Sequence, residues 1–398
     1  MHLIDRVVQF RSEIETIRRD IHAHPELRYE ENRTSDLVAA RLAEWGYEVT
    51  RGLGKTGVVG TLRSGGGTRS IGLRADMDAL PIQEGNQFPH RSRHAGKMHA
   101  CGHDGHTAML LAAAKYLAEA RDFDGTVHVI FQPAEEGGAG ARAMIDDGLF
   151  ERFPCDAVYG MHNWPGMKVG EFGVTPGPMM GSSNEFDIVV RGKGAHAAMP
   201  HLGTDSVLVA VQIVNGLQAI ITRVKKPVDT AVLSVTMIRA GDATNVIPES
   251  ARIAGTVRTF SDEVTAQIET QMRRIAEGTA AAHGCEASVD FNWNYPPTVN
   301  HAAEAEFAAS VADDVVGRHN VRRDLEPTMG AEDFAFMLKA RPGAYLFIGN
   351  GEGGHRLAGH GMGPCMLHNP SYDFNDELIP LGATFWVRLV QKYLATAG

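Results

Sequence analysis

Cysteine is scarce. The chain has four, at Cys101, Cys155, Cys285 and Cys365, among 398 residues, far too few to staple a disulfide-built scaffold. Positive charge is also in deficit, with 38 Lys and Arg against 48 Asp and Glu and a formal charge of −10. A protein that grips a phosphate backbone needs the opposite surplus, so nucleic acid is excluded as a partner. A small anionic substrate is not, because a local charge suffices to meet it. No apolar run approaches the length of a membrane span, so no membrane partner is expected. Near the start, Leu3, Ile4, Val7, Val8, Ile14, Ile17 and Ile21 recur at helical spacing among charges. That pattern predicts an amphipathic helix rather than a signal peptide, and with it a cytoplasmic location. No G-x-S-x-G elbow occurs, which weighs against a serine hydrolase.

What is present is the composition of a packed globular protein, 43% hydrophobic and 22% charged, at a length that suits two domains. The first helix is expected to end near His24, because Pro25 disfavours helical backbone before it. A second helix follows at 34–45. Strands are expected at 57–62, 70–74, 126–132, 157–162 and 344–349, and helices at 105–119, capped by Asp104, and at 381–395. The alternation predicts an α/β fold, a mixed sheet sandwiched by helices. Between 184 and 296 the order becomes strand (186–191), helix (205–223), strands (230–239 and 251–260), helix (263–282) and strand (286–293). This β-α-β-β-α-β rhythm is that of a ferredoxin-like α+β unit. It reads as a domain inserted into a discontinuous one formed by 1–183 and 297–398.

Gly52, Gly54 and Gly57 match a dinucleotide fingerprint, which raises a zinc-containing, nicotinamide-dependent dehydrogenase as a rival of another class. The fingerprint requires a helix, whereas Val58-Val59-Gly60-Thr61-Leu62 is strand-like, so a glycine-rich turn between strands is expected.

Five segments place metal-capable side chains at strand ends or in loops: 72–78 with Asp76 and Asp78, 98–106 with His99, Cys101, His103 and His106, 131–138 with Glu135 and Glu136, 160–163 with His162, and 367–370 with His368. A single histidine at a strand end is most often a hydrogen-bonded structural residue, and paired glutamates usually face solvent. Five such segments at the carboxyl ends of one sheet, where open α/β folds gather ligands, argue for a shared site. Imidazole, thiolate and carboxylate are the ligands of borderline divalent metals. A second carboxylate beside a ligand carboxylate can act as general base.

With those residues in view, the chain resembles the M20 family of metallopeptidases, and within it the amidohydrolase branch of hippurate hydrolases, bacterial aminoacylases and plant auxin-conjugate hydrolases. The resemblance rests on His22-Ala23-His24-Pro25-Glu26-Leu27, Arg74-Ala75-Asp76-Met77-Asp78, His99-Ala100-Cys101-Gly102-His103-Asp104, Glu135-Glu136-Gly137, Gly194-Ala195-His196, Thr244-Asn245-Val246-Ile247-Pro248 and Gly330-Ala331-Glu332-Asp333-Phe334. It implies Cys101, His103, Glu136, His162 and His368 as ligands of two divalent ions, manganese or zinc, with cobalt or nickel as further options. It implies Glu135 as general base, Asp76 as a support behind the ligands, His196 as an oxyanion donor, and Asn245 and Arg258 as holders of a substrate carboxylate. In the broader family a histidine ligand stands where this chain has Arg74, and Cys101 is the expected substitute. The activity implied is hydrolysis of small N-acyl amino acids, N-benzoyl or N-acetyl, by a homodimer paired through the inserted lid domain. The alternatives are an N-acetyl-diaminopimelate deacetylase, a small-peptide carboxypeptidase and a non-catalytic metal binder.

Overall fold

The computed structural model describes residues 1–395 as two compact units. The first comprises Met1–Met179, Val299–Glu326 and the chain from Asp333 onward. The second comprises Met180–Thr298 together with Pro327–Glu332, a short stretch outside the 184–296 span that the residue pattern suggests.

The first unit is built on an eight-stranded mixed sheet in the order Glu48–Leu53, Gly57–Ser64, Gly125–Gln132, Ser70–Asp76, Ala157–Pro165, Gly343–Gly351, Phe172–Gly173 and Val321–Arg322. Ser70–Asp76 runs parallel to Gly125–Gln132 and to Ala157–Pro165, which in turn runs parallel to Gly343–Gly351. These central strands are buried along nearly their whole length, as parallel strands covered on both faces must be. Their carboxyl ends share one edge, so the residues that follow each strand are delivered to the same place. The glycine-rich segment forms the hairpin Glu48–Leu53/Gly57–Ser64, with Gly52 and Gly54 at positive φ, and opens no helix. The dinucleotide fingerprint is therefore a turn.

The first helix is broken into Asp5–Gln9 and Arg11–Ala23. The central helix starts at His103, earlier than its apolar pattern indicates, because Gly102 (φ 91°) supplies the left-handed turn in front of it. Asp104 is not the cap. Its carboxylate turns inward and takes His22 Nδ1 at 2.8 Å and Arg18 Nη1 at 3.3 Å, both fully buried. Arg18 also reaches Asp373 and Asp376, so this cation joins the Arg11–Ala23 helix, the start of His103–Ala120 and the C-terminal segment. It places one fixed positive charge among three carboxylates that lie largely out of water.

The second unit is an antiparallel sheet in the order Ala231–Ala240, Ser250–Thr259, Ser183–Arg191, Glu286–Tyr295. The helices Ser206–Ala219 and Asp262–Ala282 pack on it, capped by Asp205 and Ser261. This is the ferredoxin-like order of strands. One expectation fails here: Ser206–Val224 is long and apolar enough to cross a membrane by length and composition, with 28% of it buried. Only one side of that helix packs on its own sheet, and the outward side carries Val207, Leu208 and Val211.

Burial opposes a charge on His22, but Asp104 and Glu84 outweigh it and lift its pKa to about 10. A raised histidine contributes stability that is complete below its unfolded value, about 6.5, and lost as pH rises through about 10. His22→Gln should therefore cost most at pH 6, about 3–5 kcal/mol for a broken buried pair. The difference from wild type should shrink steadily toward pH 10, as read by urea unfolding at successive pH values.

Candidate metal centre

The strand Ser70–Asp76 ends in a brace rather than in a ligand. Arg74 is fully buried and donates to Gln132 Oε1 at 2.8 Å, to Asp76 Oδ2 at 2.7 Å and to Asp333 Oδ1 at 3.1 Å. Gln132 also donates to Asp333, which in turn accepts the Ala141 amide at 2.9 Å. The ends of adjacent strands and the loop after Gln132 are thus locked together.

Around that brace the metal-capable residues converge. Cys101, His103 and His162 bring their donor atoms within 4.8 Å of one another, and so do Cys101, Glu136 and His368. Cys101 belongs to both sets. His103, Glu135 and Glu136 form a further set of the same kind.

Each ring is oriented by its other nitrogen. His162 Nδ1 donates to the Asn163 carbonyl at 2.6 Å, leaving Nε2 to face Cys101 Sγ at 3.3 Å. His103 Nδ1 donates to the Asp78 carbonyl at 2.9 Å, with the Asp78 carboxylate at 3.3 Å. Its Nε2 is buried with no hydrogen-bond partner. His368 sits at φ 61°, a strained backbone for a side chain of its size, held where its amide donates to the Ala100 carbonyl at 2.7 Å. Its Nε2 lies 3.2 Å from Glu136 Oε1, out of line for a hydrogen bond. Gly102 can only be glycine here, since a Cβ would lie 2.3 Å from Asn163 Nδ2 and 2.4 Å from the Tyr372 hydroxyl.

The electrostatics match. Burial and then Glu136 push the Cys101 thiol up, with His103 pulling the other way. His368 is lifted to about 10, chiefly by its closeness to Cys101 and to the Glu136 carboxylate. Burial opposes a charge on His103, yet Asp76 and Cys101 outweigh it and hold its pKa well above the usual value. His162 is held well below the usual value by burial and by His106. The cluster therefore favours positive charge where sulfur, nitrogen and oxygen donors meet. That donor set, with an orphaned imidazole nitrogen aimed into it, fits divalent transition metals.

The family model of Peptidase family M20/M25/M40 matches residues 72–392. The chain belongs to that family. It is 42% identical over 394 residues to a hippurate hydrolase of Campylobacter jejuni, covering 99% of this chain and 100% of that protein. It is 37% identical over 390 residues to an N-acetylcysteine deacetylase of Bacillus subtilis, covering 97% and 98%. Among solved structures, the Bacillus subtilis YXEP protein, a dinuclear metal binding peptidase from the M20 family, superposes with a TM-score of 0.83. That pair shares 34% identity and covers 98% and 100% of the two chains. This M20 chain is a metal-dependent amidohydrolase that binds two divalent ions.

Residue by residue, the first unit brings together Cys101, His103, Glu135, Glu136, His162 and His368. Asp76 lies beside them, but its carboxylate is taken by His106 Nδ1 at 2.7 Å and by Arg74, with His103 Nε2 at 3.7 Å. His106 has both nitrogens engaged, the second by the Asn163 amide at 2.9 Å, and so is structural. Cys365 is buried, donates to the Asp373 carbonyl and forms no group with His368 among the described residues. His196, Asn245 and Arg258 lie in the second unit. There His196 is exposed and pairs with Val246 in a short ladder, and the neighbouring Asn245 carbonyl accepts the Ala197 amide. Arg258 is half-buried, with Nη1 at 3.4 Å from the Ser182 carbonyl.

The residue given no role from sequence is Asp78. It accepts the His103 ring and, through Oδ2, the Glu136 amide at 2.9 Å, so it stands directly behind a metal-capable histidine, as Asp76 stands beside it. The signal was available, because a run of Asp-x-Asp at a strand end leaves one carboxylate for the sheet and one for what lies beyond it. Asp78→Ala should weaken metal binding by about 10- to 100-fold. Cys101→Ser should lower metal content at least as far, since a hydroxyl does not deprotonate to replace a thiolate. Metal titration with elemental analysis checks both.

Proposed function

We propose that this chain hydrolyses the amide bond of small N-acyl amino acids, with hippurate-like N-benzoyl compounds first and N-acetyl amino acids second. We further propose manganese or zinc as the metal. The observation that carries the reading is a pair of donor triads sharing Cys101, with a second carboxylate, Glu135, beside them. Glu136 faces both His103 and His368, which suits a ligand, whereas Glu135 shares a group with His103 but not with Cys101 or His368, which suits a base. The hippurate hydrolase and the N-acetylcysteine deacetylase named above act, by their names, on N-acyl amino acids that differ in both acyl group and amino acid.

Two ions held by Cys101, His103, Glu136, His162 and His368 would supply Lewis acidity at the carbonyl and acidify the attacking water. Glu135, buried and set in a tight turn, accepts that water's proton and passes it to the leaving nitrogen. The carbon–oxygen bond forms, the carbon–nitrogen bond breaks, and a carboxylic acid and an amino acid leave. His196 donates to the carbonyl oxygen as it gains charge, and Arg258 with Asn245 holds the substrate's free carboxylate. Guanidinium is suited to that task because its planar fork meets both oxygens. Four buried, unpaired cysteines accord with a reducing, cytoplasmic setting.

The second unit supports a homodimer. Val207, Leu208 and Val211 on the Ser206–Ala219 helix and Val232, Met237 and Ile238 on the edge strand Ala231–Ala240 are exposed. An apolar helix side next to an apolar sheet edge is a surface that solvent-exposed monomers avoid. We propose that a second copy covers it and that His196 serves the partner's reaction.

Glu135→Gln should cut turnover of N-benzoylglycine by about 10²- to 10⁴-fold with both metals retained, whereas Glu136→Gln should lose metal. Equal metal loss in the two variants would remove the division of roles. A panel varying acyl group and amino acid separately decides the substrate. Mixing Glu135→Gln with His196→Ala under subunit exchange should restore roughly a quarter of wild-type activity, because about half of the dimers are mixed and each has one intact site. No recovery despite proven exchange would place His196 in its own chain's site or outside catalysis.

A further inference from the structure

The loop that carries Glu135 and Glu136 is held in an unfavourable shape. Ala134 lies at φ 54° and ψ 41°, Gly137 at φ 73° and Ala139 at φ 54°. Two alanines in the left-handed region within one short loop persist only where surrounding contacts enforce them. Those contacts come from a segment near the start of the chain. The Glu31 carboxylate accepts the Ala134 amide at 2.9 Å and the Thr56 hydroxyl at 2.6 Å. The Tyr29 hydroxyl donates to the Gly138 carbonyl at 2.7 Å, and Arg28 donates to the Glu136 carbonyl at 3.1 Å. Nearby, the Ala79 amide donates to the Glu26 carbonyl, next to Asp78.

Glu31 is fully buried and forms no ion pair among the described residues. Burial pushes its carboxyl up to about 7, although Thr56 and the Ala134 amide pull the other way. An acid kept in that position works against stability unless its two acceptor oxygens are needed. Ala134 immediately precedes Glu135, so the amide that Glu31 holds fixes the direction in which the Glu135 side chain leaves the backbone.

We propose that segment 28–31 is a clamp on the catalytic loop, in which Glu31 is a positioning residue for Glu135. This rests on the reading of Glu135 as the base. Glu31 itself touches no metal donor, and the donors are oriented separately by Asp78, Asn163 and the Ala100 carbonyl, so its contact acts on the proton-transfer geometry. A carboxylate displaced by about 1 Å from its reacting proton loses on the order of 10²-fold in rate.

The test uses the full chain loaded with manganese or zinc and N-benzoylglycine as the probe. Glu31→Ala should lower kcat by about 10- to 100-fold while KM and bound metal stay within twofold of wild type. Hydrogen–deuterium exchange across 133–141 should quicken in the same variant, with or without metal. Glu31→Gln, which keeps an acceptor for Ala134 and a partner for Thr56, should recover most of the loss. If Glu31→Ala does not fold, Tyr29→Phe, which removes one hydroxyl, should lower kcat several-fold at unchanged KM and loosen the same segment. Wild-type kcat in both Glu31→Ala and Tyr29→Phe, unchanged exchange, or kcat falling only in step with lost metal would overturn the clamp. Full turnover by Glu135→Gln would instead remove the base itself, and the clamp with it. A dead Glu135→Gln beside an unaffected Glu31→Ala would leave the base standing and overturn the clamp alone.

Discussion

Asp78 is the contact on which the metal centre depends. Its carbonyl and carboxylate together receive the ring of His103, and the carboxylate also takes the backbone amide of Glu136, residues delivered by different loops. A buried imidazole has two nitrogens, and only when one is tied down does the other point in a defined direction. By holding His103 through Nδ1, Asp78 leaves Nε2 as a buried atom without a partner, aimed at the space that Cys101 and Glu136 also border. Taking so many ionisable groups out of water is unfavourable, and the structure tolerates it because most of them face a fixed opposite charge or dipole.

The same economy extends outward from the donors. Arg74, Asp76, Gln132 and Asp333 lock the ends of the parallel strands, and Arg18, His22 and Asp104 lock the beginning of the helix that carries His103. The loop bearing the paired glutamates cannot be held by a strand or a helix, because its own backbone departs from both. It is held by side chains from segment 28–31, far away in sequence. Rigidity at the reacting groups thus comes from strand ends for the ligands and from a separate strap for the base.

Much of this was legible in the residues. Central strands appear within a few residues of their expected bounds because buried parallel strands are written as short, nearly continuous apolar runs between turn signals. The β-α-β-β-α-β rhythm translated into the antiparallel order of the second unit. The metal-capable residues were legible because each occurs just past a strand or just before a helix, where backbone geometry leaves a side chain free to converge with others. Asp104 was misread as a cap, since its spacing fits one and nothing local reveals that His22 and Arg18 approach it from another helix. Asp76 lies behind the donors as expected, against His106 and beside His103, whereas the role of Asp78 depends on where the strand ends, which its neighbours decide. The helix at 205–223 is legible from sequence, but its apolar length is masked there by Gln212, Asn215 and Gln218, which interrupt the run.

By itself, the sequence determined the order of elements, the two-part organisation, the absence of a disulfide scaffold, and the residue types available for chemistry. These follow from periodicity and side-chain chemistry, which are local. Only the tertiary structure decided which nitrogen of each histidine remains free, that Cys101 belongs to both donor sets, that Asp78 stands behind His103, and that Glu31 holds the amide before Glu135. Those are matters of which distant groups meet. A hydrogen bond depends on a few tenths of an ångström and on angle, and neither is written into the spacing of residues along a chain.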